Sequence, residues 1–104
     1  MEKVSSCREI KDINREALIR VLTDELPVLR AKIGISQREL SNIIGVSRQT
    51  YSAIETKKRE MSWNVFMSLI LFFKHNERTG EMLESIGAFP ESLQQMLNIN
   101  KRDS

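Results

Sequence analysis

Few residues in this chain carry groups able to make or break covalent bonds. One histidine, His75, and one cysteine, Cys7, occur in 104 residues. A zinc cage, an internal disulfide or a nucleophile paired with a base needs more than these two residues supply. Nor is there a glycine-rich loop to cradle phosphates, so neither a cofactor nor a metal is expected and an enzyme is not indicated. The side chains that could act do so by hydrogen bonding and charge. In ISQRELSNIIGVSRQTYSAIE, residues 35–55, two short amphipathic stretches flank Gly45, and Ser47, Arg48, Gln49 and Thr50 head the second. Just beyond it, Lys57, Lys58 and Arg59 join Arg48 in a local basic patch that only Glu55 opposes between residues 46 and 59. Such groups can hold an external polar partner only if the helix carrying them turns them away from the core.

The elements that would do this are helical. β-Branched residues are scattered and no tight hairpin signal is flanked by alternating apolar positions. Ser36 followed by Glu39 fits a capping box, predicting a helix from Gln37 that buries Leu40 and Ile44 and stops at Gly45. Ser47 then caps a second helix through the amides of residues 49 and 50, with Val46, Tyr51 and Ile54 facing inward. Three residues between two helices force a steep angle. Upstream, Ala17, Leu18, Val21 and Leu22 recur at helical spacing, so a helix from Asn14 is expected to end near Thr23 or Asp24. A new one would start at Asp24 or Glu25, with Pro27 in its first turn, and run to Gly34; one kinked helix is the alternative. Downstream, Ser62 should cap a helix through Trp63, Phe66, Leu69, Ile70 and Phe73 to about Asn76. Met67, Leu71 and Phe72 make this helix apolar almost all round, so it must be covered all round. The chain offers further helices around Thr79–Ile86 and around Leu93, Met96 and Leu97 to cover it, either within one molecule or between two copies.

Composition fits this scale. With 40% hydrophobic and 29% charged residues the chain is an ordinary globular one, not a disordered one, and its length suits one domain. The longest apolar run, Val65–Phe73 with Ser68 inside it, is too short to span a bilayer, and residues 1–8 lack the apolar core of a secretory signal, so a cytoplasmic location is expected. A net charge of +2 would not announce a nucleic-acid partner. Its distribution is more telling: residues 1–35 carry +1, residues 36–74 carry +3 and residues 75–104 carry −2.

From Leu26 to about Phe73 the chain resembles the helix-turn-helix domain of phage lambda repressor, Cro and related bacterial regulators. The resemblance rests on Leu29-Arg30, on Gly34-Ile35-Ser36-Gln37 with Leu40, on Gly45-Val46-Ser47-Arg48-Gln49-Thr50 and on Ile54-Glu55, all in register. It implies an all-α, lambda repressor-like bundle of about five core helices. Residues 1–24 would form an N-terminal extension with a helix, residues 25–74 the DNA-binding core, and residues 75–104 a C-terminal helical extension. The resemblance further implies that Ser47–Thr56 is a recognition helix for the major groove of double-stranded DNA. Arg48, Gln49, Ser52 and Ala53 would then approach base edges, and Gln37, Ser47, Thr50, Thr56 and Lys58 would contact phosphates. Arg30 and Glu55 match a family pair that ties the first helix to the third.

Two departures stand out. Relatives place a glycine where this chain has Lys57 and a proline where it has Met61, so Lys57 must adopt a left-handed backbone or the helix must close differently. The expected function is that of a small sequence-specific transcriptional regulator of the Cro and repressor (XRE) type. Most simply it would be a repressor acting as a homodimer through the fourth helix and the C-terminal helices. The alternative is an antitoxin or adaptor that binds a protein partner through its terminal helices.

Overall fold

The computed structural model describes residues 13–97, whose regular structure is all helical, with no strand among them. Six helices follow in order: α1 Arg15–Ile33, α2 Gln37–Ile44, α3 Arg48–Glu55, α4 Trp63–His75, α5 Glu77–Ser85 and α6 Glu91–Leu97. No helix among the described residues is long and apolar enough to cross a membrane. Cys7 and the first residues of the chain lie outside the described range.

The expected break near Thr23–Glu25 is absent, and α1 runs through Pro27 as one helix of 19 residues. Asn14 caps its start, accepting from the Ala17 amide at 3.0 Å. Proline costs the helix one ladder hydrogen bond, since it has no amide to give the Thr23 carbonyl. The cost is outweighed because Leu18, Leu22, Leu26 and Leu29, spaced by three or four residues on both sides of Pro27, all enter one core. Pro27 itself lies on the exposed side. The helix ends instead at Gly34, whose left-handed backbone (φ 83°) closes it with its amide on the Arg30 carbonyl.

α2 and α3 form where local sequence dictates. The capping box is complete: the Glu39 amide donates to Ser36 Oγ and the Ser36 amide to Glu39 Oε1, both at 3.0 Å. These hydrogen bonds hold the Glu39 carboxyl below its ordinary range, the Ser36 amide contributing most. Gly45 ends α2 at φ 83°, a left-handed backbone that a side chain would strain. The next helix begins at Arg48 with Ser47 as its cap, leaving only three residues to turn the chain.

α4 is the spine, packing against α1, α2 and α5. Phe66, Leu69, Ile70 and Phe73 are buried. Trp63 is half-buried at the rim instead of fully in the core: it stacks on Phe66 at 4.6 Å, and the Arg15 guanidinium lies 4.8 Å from its ring centre. α5 folds back tightly because the buried Thr79 hydroxyl donates to the Phe73 carbonyl at 2.6 Å. At Gly80 a side chain would meet the Lys74 carbonyl at 3.0 Å. Gly87 turns the chain again, and Ala88, Phe89 and Leu93 are buried in the same core as Leu22 and Leu83. The C-terminal helices therefore cover their own molecule with Leu83 and Leu93.

Candidate nucleic-acid interface

α3 has two unlike sides. Its inward side carries Tyr51 and Ile54, both buried, and its main packing partners are α1 and α2. At its C-terminal end the Glu55 carboxylate gathers four hydrogen bonds. Arg30 donates from Nε to Oε2 and from a terminal nitrogen to Oε1, each at 2.9 Å. Gln37 Nε2 donates to Oε1 and the Tyr51 hydroxyl to Oε2, both at 2.8 Å. A further Arg30 nitrogen donates to the Ile35 carbonyl at 3.1 Å, so the turn between α1 and α2 joins the cluster. One carboxylate thus fixes α1, α2 and α3 relative to one another.

The electrostatics follow. Burial alone would raise the Glu55 pKa, but the hydrogen bonds from Arg30, Tyr51 and Gln37 more than offset it and leave the carboxyl below the ordinary glutamate range. Its hydrogen bond with Glu55 raises the Arg30 pKa despite partial burial. Burial, and then the hydrogen bond to Glu55, push the Tyr51 phenol far up. All three groups therefore hold one charge state across the neutral range.

The outward side is bare. Ser47, Arg48 and Gln49 are exposed, and Thr50, Ser52 and Ala53 are half-buried beside them. The cap uses one amide only: Ser47 Oγ accepts from Thr50 N at 3.0 Å, not from both residues 49 and 50. The Ser47 hydroxyl donates to Thr50 Oγ1 at 2.9 Å, which leaves the Thr50 hydroxyl proton to point elsewhere. Thr56 is exposed, but its hydroxyl donates back to the Ser52 carbonyl at 2.9 Å. Gln37, half-buried, spends one of its two amide protons on Glu55 and keeps the other.

Lys57 adopts φ 67°, the left-handed backbone that its position demands. The Lys57 amide donates to Ile54 O at 3.0 Å and the Lys58 amide to Ala53 O at 2.9 Å, the two bonds of a Schellman closure with lysine in the usual glycine place. Lys57 Nζ pairs with Asp24 of α1 at 2.6 Å, a contact that no local signal in the sequence announces. Lys58 and Arg59 are exposed just after it. The Tyr51 hydroxyl is the other participant that spacing did not reveal. Its ring lies inward as expected, and its hydroxyl belongs to the Glu55 cluster.

Arg48, Gln49, Ser52 and Ala53 thus share one short helix, with Ser47 and Thr50 at its head and Lys58 past its end. Comparison with known proteins agrees with this geometry. A family described as helix-turn-helix matches residues 29–62, from the last buried leucine of α1 to the cap of α4. No curated protein and no solved structure matches the chain. Residues 29–62 are thus similar to a DNA-binding helix-turn-helix of the lambda repressor type, with α2 and α3 in the places of its two helices.

Proposed function

We propose that this chain is a sequence-specific, double-stranded DNA-binding regulator of transcription in the cytoplasm, acting as a repressor by occupying its site and performing no catalysis. The observation that supports this most directly is the asymmetry of α3: one side locked by Tyr51, Ile54 and Glu55, the other bare from Ser47 to Gln49. A helix held this way can enter a major groove without first rearranging. Arg48 is suited to guanine O6 and N7 and Gln49 to adenine N6 and N7, while Ser52 and Ala53 face the groove one turn on. Arg48 and Gln49 also present backbone amides outside the helix ladder.

Phosphate contacts fall to Gln37, Ser47, Thr50, Thr56 and Lys58. Thr50, Lys58 and the second amide proton of Gln37 can donate as they stand. Ser47 and Thr56 must first turn their hydroxyls away from Thr50 and Ser52, so their contacts are the weaker ones. Two copies would double the contacts on a two-fold symmetric operator, pairing through α4 and the C-terminal region.

The test is selection of bound sequences from random duplex DNA with the purified chain, with enrichment of a symmetric pair of half-sites expected. Arg48→Ala then relaxes preference at one or two base pairs by about 1–3 kcal/mol. Lys58→Ala weakens all sequences alike and lowers the salt slope by about 1. Enrichment of nothing at low ionic strength would overturn the proposal.

A further inference from the structure

Among the described residues Val28, Ile43, Leu71 and Leu97 are the bulky apolar side chains left exposed, and two of them, Ile43 and Leu71, border one groove. Ile43 and Ile44 at the end of α2 and Ser68, Leu71 and Phe72 of α4 line an open groove of about 570 Å³, with His75 and Asn76 also in its lining. The volume admits side chains, not merely a water. Leu71 is 72% exposed and Ile43 56% exposed, the two largest exposures among the bulky apolar residues described. We propose that this groove is the two-fold interface through which a second copy of the chain pairs, each Leu71 seating against the other copy's groove. The inference rests on the homodimer reading above and narrows it, moving the contact from the C-terminal helices to the junction of α2 and α4.

Two features favour a second copy as the occupant. The surface is self-complementary, since a projecting leucine stands on the rim of an apolar hollow, as an isologous interface requires. Near a two-fold axis each residue approaches its own copy, so a charge at the centre would meet its like. No acidic residue, lysine or arginine lines this groove, although 30 of the 104 residues are charged. At its edge the exposed neighbours Glu77 and Arg78 have opposite signs and can pair reciprocally across the axis.

The patch is small, so the association is weak, in the micromolar range or above. Sedimentation of the full chain from micromolar to submillimolar concentration tests it without DNA. The expected result is a rise from 12.1 kDa towards twice that mass. Leu71→Asp and Ile43→Asp each shift the midpoint at least tenfold while melting as the parent does, and Leu97→Asp and Val28→Asp leave it in place. A chain that stays monomeric throughout overturns the inference. So does a dimer that Leu71→Asp and Ile43→Asp leave intact, or one that Leu97→Asp dissolves; the last result would keep the homodimer and return its contact to the C-terminal helices. DNA selection, scored separately, decides the regulator reading whichever way the masses fall.

Discussion

Glu55 and Lys57 stand two residues apart at the end of α3, and each pairs with a charged residue of α1, yet the two pairs have different consequences. Glu55 and Arg30 keep only 8% and 20% of their side-chain surfaces in contact with solvent, and the Glu55 carboxylate has four donors around it. Lys57 and Asp24 keep 66% and 56%, and their contact is a single one. The first pair has replaced its water with a full set of fixed partners and can define a geometry. The second remains in water, where an ion pair contributes between nothing and about 1 kcal/mol. Position is set by the inner pair. The outer one leaves a lysine close to the reading surface with little to hold it back.

The comparison is broken most severely at Glu55. Glu55→Ala leaves Arg30, Tyr51 and Gln37 with donors and no acceptor. Water can reach Arg30 in part, so the expected loss is about 3 kcal/mol, the low end for a broken buried pair. A lower midpoint in denaturant with an unchanged slope would show it. The acid limb should follow the same group. Glu55 has a folded pKa below its unfolded one, so its contribution is fully present above the ordinary glutamate value of 4.5. It is lost as pH falls through the lower folded value. Glu55→Gln should flatten this part of the stability profile below pH 4.5.

Tyr51→Phe is the next step down. The ring stays buried and only the hydroxyl leaves, so no cavity forms. One hydrogen bond to a charged acceptor is lost, worth about 1.5 kcal/mol, while three donors still hold Glu55. The folded Glu55 pKa should rise towards the ordinary range, because one of the bonds keeping it low has gone. A loss of stability equal to that of Glu55→Ala would mean that the cluster is no more than its tyrosine.

Much of the fold was legible because it is local. The Ser36 and Glu39 capping box, the left-handed Gly45 and the caps at Ser47 and Ser62 each depend on residues three or four apart, and the sequence displays those spacings directly. The continuity of α1 was not legible at Pro27. Local rules there weigh a lost hydrogen bond, whereas the outcome depends on whether Leu22, Leu26 and Leu29 meet one core or two. The resemblance makes Gln37 a phosphate contact. Its partner Glu55 is 18 residues away, and no spacing reports an amide proton spent at that distance. Leu93 and Leu71 had the same ambiguity, both apolar on helices in need of cover. Only packing distinguishes them, the first fully buried within its own chain and the second left bare.

The smallest effect belongs to the outer pair and tests whether Lys57 is present for stability at all. A left-handed backbone costs an L-residue roughly 1–2 kcal/mol. Glycine at position 57 would remove that strain, give back about 0.5–1 kcal/mol through the greater freedom of the unfolded chain, and forgo the exposed pair with Asp24, worth well under 1 kcal/mol. These terms nearly cancel, with a small residue on the favourable side, so Lys57→Gly should change stability by no more than about 0.5 kcal/mol and in the stabilising direction. Lys57→Ala separates the terms, since it keeps the strain and loses the pair; it should be the less stable of the two variants. A thermal midpoint for Lys57→Gly several degrees below that of the parent would mean that the Asp24 contact holds the end of α3 as firmly as Arg30 does, and the distinction between an inner pair that positions and an outer pair that does not would fail.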